Sequence, residues 1–179
     1  MPIAVVLNNI RSTHNVGAIM RTLDAVGGGE VICCGITPYP EIEGDTRSPV
    51  VRNSNTRAIV KTALGAERTV RVAHEANASD AIERLREEGF VVYALEQSDK
   101  SCDIFAAEFD AARPRALVLG SEVDGLPADL LAACDAVLEI PQYGSKESLN
   151  VSVAAGIALY RLRATTKLRS PDLRVPPPR

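Results

Sequence analysis

The stretch ALVLGSEVDGL, residues 116–126, joins an unbroken apolar run to a turn of small and acidic residues. An apolar run without alternation is covered on both faces, as a parallel strand is inside a layered α/β domain. The run stops at Gly120. Ser121, Glu122 and Asp124 follow in a turn closed by Gly125, so a carboxylate stands at the strand's carboxyl end, where open parallel sheets take their ligands. Working outward, residues 3–7, 31–35, 68–72, 90–95 and 136–140 carry five more runs of this kind. Helical periodicity fills residues 16–26, 57–64, 79–88, 127–134 and 149–163 between and after them. Alternation of strand and helix predicts a three-layer α/β domain on a mostly parallel sheet.

Length and composition agree. The 179 residues suffice for one domain, and 46% apolar content builds a core without staples. No apolar run approaches the roughly 18 residues that span a bilayer, and residues 1–7 lack the cationic start of a signal peptide. Cys33, Cys34, Cys102 and Cys134 match neither a zinc spacing nor a disulfide framework. They read as reduced thiols, mostly core filler, in a cytoplasmic protein. His14 and His74 are the only histidines, too few for most metal sites, so no metal is expected. Aromatic content of 4% with no Trp argues against a base-stacking platform.

The net charge of −3 conceals an asymmetry. Residues 161–179 hold six basic groups (Arg161, Arg163, Lys167, Arg169, Arg174, Arg179) and one acid, Asp172, for +5. Residues 1–160 hold 14 basic and 22 acidic groups, for −8. A basic, Pro-ending tail over 166–179 reads as disordered and able to touch a polyanion, beside a folded domain over 1–165. Residues 37–56 carry Pro38, Pro40, Gly44 and Pro49 and read as a long loop. Arg47, Arg52 and Arg57 with Asn53 and Asn55 are its candidates for meeting phosphates, although Glu41, Glu43 and Asp45 balance the arginines.

In the last helix, capped on this reading by Ser148, Leu149, Val153, Gly156, Ile157 and Tyr160 share one face. Val151, Ala155, Ala158 and Leu162 share another. A helix apolar on both sides is covered on both sides. The sheet covers one, and a second copy of the chain is expected on the other.

Gly27-Gly28-Gly29 follows a helix and suits a helix stop, not a phosphate cradle. Neither a GxGxxG nor a Walker motif is present. Two further segments stand out beside residues 117–126. NIRSTHNVGAIMRT, residues 9–22, enters the first helix with Asn15 as its expected cap, Gly17 allowing close backbone approach, and Arg21 one turn on. IPQYGSKESLN, residues 140–150, leaves a strand and turns through Gly144 into the last helix.

Together NVGAIMRT, LGSEVDGL and IPQYGSKESLNVSVAAG resemble, in order, the signature blocks of the SpoU (TrmH) family of RNA 2′-O-ribose methyltransferases in the SPOUT superfamily. ALEQS, residues 94–98, is similar to the family's loop after its middle strand. The resemblance runs from Ile3 to about Arg163. It implies an α/β fold with a C-terminal deep trefoil knot, S-adenosylmethionine as methyl donor, a homodimer, and transfer RNA or ribosomal RNA as partner. Carried over position by position, it implies cofactor binding by Leu95, Glu96, Gly120, Ser121, Glu122, Gly125, Ile140, Gln142, Ser148 and Leu149. It implies catalytic roles for Asn15, Arg21, Glu122, Ser148 and Asn150. A guanidinium is ordinarily a donor only, so Arg21 is expected to anchor a developing alkoxide or a phosphate, with base action the other option. Gln142 stands where the family commonly has Met. Ser12-Thr13-His14 replaces the usual Pro-bearing approach to Asn15. No counterpart of the N-terminal RNA-binding extension of several members is expected, so RNA is expected to be read by the catalytic dimer itself, with residues 37–57 and the basic tail as candidates. Two other readings use the same fold: a non-catalytic RNA-binding or assembly factor, and a transferase acting on a base or a protein.

Overall fold

Seven strands form one wholly parallel sheet in a computed structural model that describes residues 2–164. They are β1 (Ile3–Asn8), β2 (Glu30–Cys34), β3 (Arg71–Glu75), β4 (Val91–Leu95), β5 (Cys102–Asp103), β6 (Arg115–Leu119) and β7 (Ala136–Glu139). The helices are α1 (Thr13–Ala25), α2 (Pro49–Ala63), α3 (Ala78–Glu87), α4 (Ala128–Ala133) and α5 (Val151–Arg163). The expected tail over 166–179 lies outside the described residues. No described helix is long and apolar enough to cross a membrane.

Alternation along β1 shows why its run is continuous. Ile3, Val5 and Leu7 pack with Val16, Ile19 and Leu23 of α1 and with Ala155, Leu159 and Leu162 of α5. Ala4 and Val6 pack on the other face with Ala81, Ile82 and Leu85 of α3 and Leu130 of α4. Each face has its own helix layer, so neither side of the strand tolerates a polar residue.

The strand order is β3-β2-β1-β6-β4-β7-β5. β4 lies between β6 and β7, in register from Val91↔Arg115 to Leu95↔Leu119 and from Tyr93↔Ala136 to Leu95↔Leu138. The carboxyl ends of these three strands are therefore neighbours, although their sequences are far apart.

Several expectations are corrected. The long loop ends at Ser48, whose hydroxyl accepts from the Val51 amide at 3.4 Å and caps α2, with Pro49 in the first turn. Val50 is 78% exposed, so α2 begins without the apolar stripe that announces a helix. The third strand begins at Arg71 rather than at residue 68. Thr69 and Val70 amides still bond back to the Ala66 carbonyl in a 3-10 turn after Gly65, and pairing with β2 starts at Glu30↔Arg71. The two-residue strand β5 has too short a pattern to be seen in sequence. Cys33 and Cys34 are buried core groups as expected, whereas Cys102 is exposed.

Arg47 and Arg52, offered above as phosphate contacts, are committed inside the protein. Arg47 pairs with Asp45 at 2.6 Å, donates to the carbonyls of Tyr39 and Pro40, and lies 3.3 Å from the centroid of the Tyr39 ring. Arg52 pairs with Glu41 at 3.2 Å and donates to the Asp45 carbonyl.

Candidate functional site

The turn after β6 is built on a backbone contact that only glycine permits. A Cβ on Gly120 would stand 2.3 Å from the Gly125 carbonyl carbon and 2.7 Å from the Leu126 nitrogen. Ser121 and Gly125 form a one-residue antiparallel bridge, and the Ser121 hydroxyl accepts from the Asp124 amide at 2.9 Å. Glu96, just past the end of β4, fastens this turn: its Oε2 accepts from the Leu126 amide at 2.9 Å, and its Oε1 accepts from the Gln97 amide at 3.1 Å. Gly125 has φ +66°, and a side chain there would also run into the Glu96 carboxylate.

Glu122 projects from the turn toward α1. Its Oε1 accepts from Asn15 Nδ2 at 2.8 Å and its Oε2 from the Arg11 amide at 3.3 Å. Burial raises the Glu122 pKa. The Asn15 bond and the main-chain amides of Glu122, Arg11 and Ser12 outweigh it and hold the carboxyl below its ordinary value. Asn15 in turn accepts from Asn150 Nδ2 at 3.2 Å, and Asn150 Oδ1 accepts from the Ser152 amide at 2.9 Å and hydroxyl at 2.6 Å. Three distant segments thus meet in one hydrogen-bonded chain, Glu122–Asn15–Asn150–Ser152.

Two capping expectations are corrected here. α1 is capped by Ser12, whose hydroxyl accepts from the Asn15 amide at 3.3 Å, so the Asn15 side chain is released to bridge Glu122 and Asn150. α5 is capped by Asn150, and Ser148 lies two residues outside the helix on the wall of a cleft. Each pair holds two cap-competent residues close together, and tertiary bonds choose between them.

That cleft, about 530 Å³, lies over the carboxyl ends of β4, β6 and β7. Its volume is within the ~300–1,000 Å³ of small-molecule sites. All ten residues expected to bind cofactor line it. Its apolar wall includes Leu119, Leu149, Val151 and Ala154, and its polar wall has Glu96, Glu122 and Glu139 with no Lys or Arg among the described residues. Glu139 and Gln97 were not anticipated. Glu139 Oε2 accepts from the Ser101 hydroxyl at 2.5 Å, and Gln97 Nε2 donates to the Glu147 carbonyl at 2.9 Å, tying the 140–150 segment to the β4 loop. Gln97 lies inside the quoted ALEQS, and Glu139 ends an apolar run, so neighbouring residues were the available signal. Gln142 bends back and donates to the Ile140 carbonyl at 2.9 Å.

Of the expected catalytic residues, Glu122, Ser148 and Asn150 line the cleft and Asn15 bonds to two of them. Arg21 does not reach it. Arg21 is exposed and lines a second depression with Thr22, Lys61, Ser152 and Tyr160. Ser152 joins the two places, through its bonds to Asn150. On α5, Ala155, Ala158 and Leu162 are buried as expected, while Val153 and Tyr160 are 51% and 58% exposed.

Fold and site together define a class: a parallel α/β domain with a cleft over three adjacent strand ends. The chain belongs to the SpoU rRNA Methylase family, whose model matches residues 2–160. It is 32% identical over 158 residues to the tRNA (guanosine(18)-2′-O)-methyltransferase of Escherichia coli K12, covering 88% of this chain and 61% of that protein. Among solved structures it is similar to an AdoMet-bound rRNA methyltransferase from Sinorhizobium meliloti (TM-score 0.74, 30% identity, 90% of this chain and 56% of that one). It is also similar to a TrmH/SpoU tRNA-modifying enzyme from A. aeolicus (TM-score 0.72, 28% identity, 91% and 74%). The chain spans less than two thirds of the length of the curated relatives it matches, 61% for the Escherichia coli protein and 38% for an uncharacterized tRNA/rRNA methyltransferase of Synechocystis.

Proposed function

We propose that this protein transfers a methyl group from S-adenosylmethionine to a ribose 2′-hydroxyl of transfer RNA or ribosomal RNA. The observation that carries the reading is the composition of the cleft. A wall with three Glu residues and, among the described residues, no Lys or Arg repels phosphate and suits a ligand that is part neutral heterocycle, part cation. Backbone edges at Gly120 and Ile140 and the apolar wall suit an uncharged purine and ribose. The carboxylates suit a sulfonium. Family membership and the names of the relatives point the same way. When bound, S-adenosylmethionine supplies an electrophilic methyl carbon.

The protein's own residues hold the acceptor and manage its proton. Displacement is in line, so alignment dominates the catalytic demand. Asn150, fixed by Asn15 and Ser152, presents a preset amide at the cleft mouth. On this reading Ser148, a lining residue of the cleft, accepts from or donates to the acceptor hydroxyl. Glu122 stays ionised and orients Asn15. Arg21 lies outside its own chain's cleft, so on this reading it serves the cleft of a second copy, where its charge stabilises the developing alkoxide or the adjacent phosphate. The exposed Val153 and Tyr160 on α5 are the surface that a second copy would cover. The reading includes threading of the C-terminal segment into a trefoil knot and a cytoplasmic location.

The test is radiolabelled methyl transfer to total RNA with nuclease mapping. Label confined to ribose 2′-oxygens supports the proposal. Label on a base replaces it with a different transferase, and RNA binding without label replaces it with an assembly role.

A further inference from the structure

We propose that the outer face of α2 is the track on which the RNA backbone lies, with Arg57 and Lys61 as its phosphate contacts. This inference rests on the RNA reading above and adds to it the surface that carries the substrate. α2 spans Pro49–Ala63 and contains Arg52, Arg57 and Lys61 but no acidic residue, within a body (residues 1–160) whose net charge is −8. Arg52 is committed to Glu41. Arg57 and Lys61 are exposed, one helical turn apart, and are absent from every ion pair among the described residues, all of which use other arginines. Two adjacent cations left unpaired on an acidic body make a local positive field of the kind that attracts a polyanion.

The shape of the surface supports a track rather than a point. Arg57 and Lys61 border a shallow trough of about 520 Å³, lined also by Val50, Asn53, Ser54 and Ala58. Lys61 also borders the depression of about 480 Å³ that holds Arg21 and Ser152. From Ser152 the hydrogen-bonded chain leads through Asn150 into the cleft. Arg57 and Lys61 thus line the trough, and Lys61 carries it on to the neighbouring depression. α1 and α2 hold this spacing firmly, because Gly17 lets the helices touch: a Cβ there would stand 2.4 Å from the Ile59 carbonyl oxygen. Phosphate contacts of this kind position the strand without reading its sequence.

The experiment uses the full chain carrying Arg57→Gln and Lys61→Gln together. Binding to transcribed transfer RNA and to a ribosomal RNA fragment is followed by fluorescence anisotropy between 50 and 200 mM salt, beside S-adenosylmethionine calorimetry and methyl transfer. Loss of two phosphate contacts is expected to flatten the log–log salt dependence by roughly 1.4–1.8 and to weaken binding about tenfold or more at low salt. Cofactor affinity is expected to stay unchanged, since neither residue lines the cleft. An unaltered affinity and slope in a double variant with wild-type cofactor binding would overturn the track, while methyl transfer by the wild type would leave the enzyme reading intact. Wild-type protein that binds RNA through these residues yet transfers no methyl group would keep the track and remove the catalytic reading. Wild-type protein that binds neither RNA would remove both.

Discussion

Replacing Gly120 by alanine tests the site at its narrowest point. The added methyl carbon would lie 2.3 Å from the Gly125 carbonyl carbon, 2.5 Å from its oxygen and 2.7 Å from the Leu126 nitrogen. Carbon–carbon contact is comfortable at ~3.5 Å, so the 125–126 backbone must retreat by ~1 Å. No flexible side-chain end is available to yield, since the three nearest atoms are all backbone. That retreat breaks the bond from the Leu126 amide to Glu96 Oε2, now 2.9 Å long. Loss of a hydrogen bond to a charged group costs about 1.5–3 kcal/mol, and overpacking adds about 1–3 kcal/mol. Both fall on the wall of the cleft. If half of that total is expressed in ligand affinity, S-adenosylmethionine binds roughly ten- to a hundredfold more weakly, at about 1.4 kcal/mol per tenfold. Calorimetry measures this directly. Gly144→Ala is the matched control, with no heavy atom within 4 Å of its would-be Cβ, and its affinity is expected to match the wild type. A Gly120→Ala protein that binds the cofactor within twofold of wild type would refute the close-contact reasoning, as would equal damage from Gly144→Ala.

Arg21→Ala is expected to lower methyl transfer by at least ~100-fold with cofactor affinity intact, the usual size of such electrostatic or proton-handling contributions; wild-type turnover would remove Arg21 from the reaction. Arg115→Ala is expected to cost about 3 kcal/mol or more, because the side chain, 2% exposed, donates to the carbonyls of Leu162 and Asp110 and leaves both unpaired in a cavity when removed. Calorimetric unfolding should then show Tm lower by roughly 6 °C or more. Glu122, whose carboxyl is held below its ordinary value, contributes stability that is fully present above the unfolded-state pKa and is lost as pH falls through the lower folded-state pKa. Denaturant unfolding of wild type and Glu122→Gln between pH 3 and 6 (roughly the carboxylate range) should show their difference shrinking toward the acid end; a constant difference would contradict the bonding described for Glu122.

The strand runs were legible because double-sided burial writes itself into sequence as unbroken apolar stretches, and all six expected strands overlap observed ones, the 68–72 run meeting β3 only at Arg71 and Val72. α2 was legible only in its second half. Its first turns meet solvent through Val50 and Asn53, so composition there reflects no packing partner. The caps at Ser12 and Asn150 were missed by two or three residues, because Asn15 and Ser148 are equally competent in isolation. What separates them is the Asn15 bridge to Glu122, 107 positions away.

Residue order alone therefore determined the kind of elements, their two-sided burial and the three segments that end at strand termini, since each is a local consequence of side-chain chemistry. Only the tertiary structure decided that β4 slots between β6 and β7, that Glu96 is a fastener of the Gly120 turn, and that Arg47 and Arg52 are spent internally while Arg57 and Lys61 enter no ion pair among the described residues. Those outcomes depend on which distant groups come within hydrogen-bond or ion-pair reach, and that proximity is created by packing the layers together rather than by any neighbourhood along the chain.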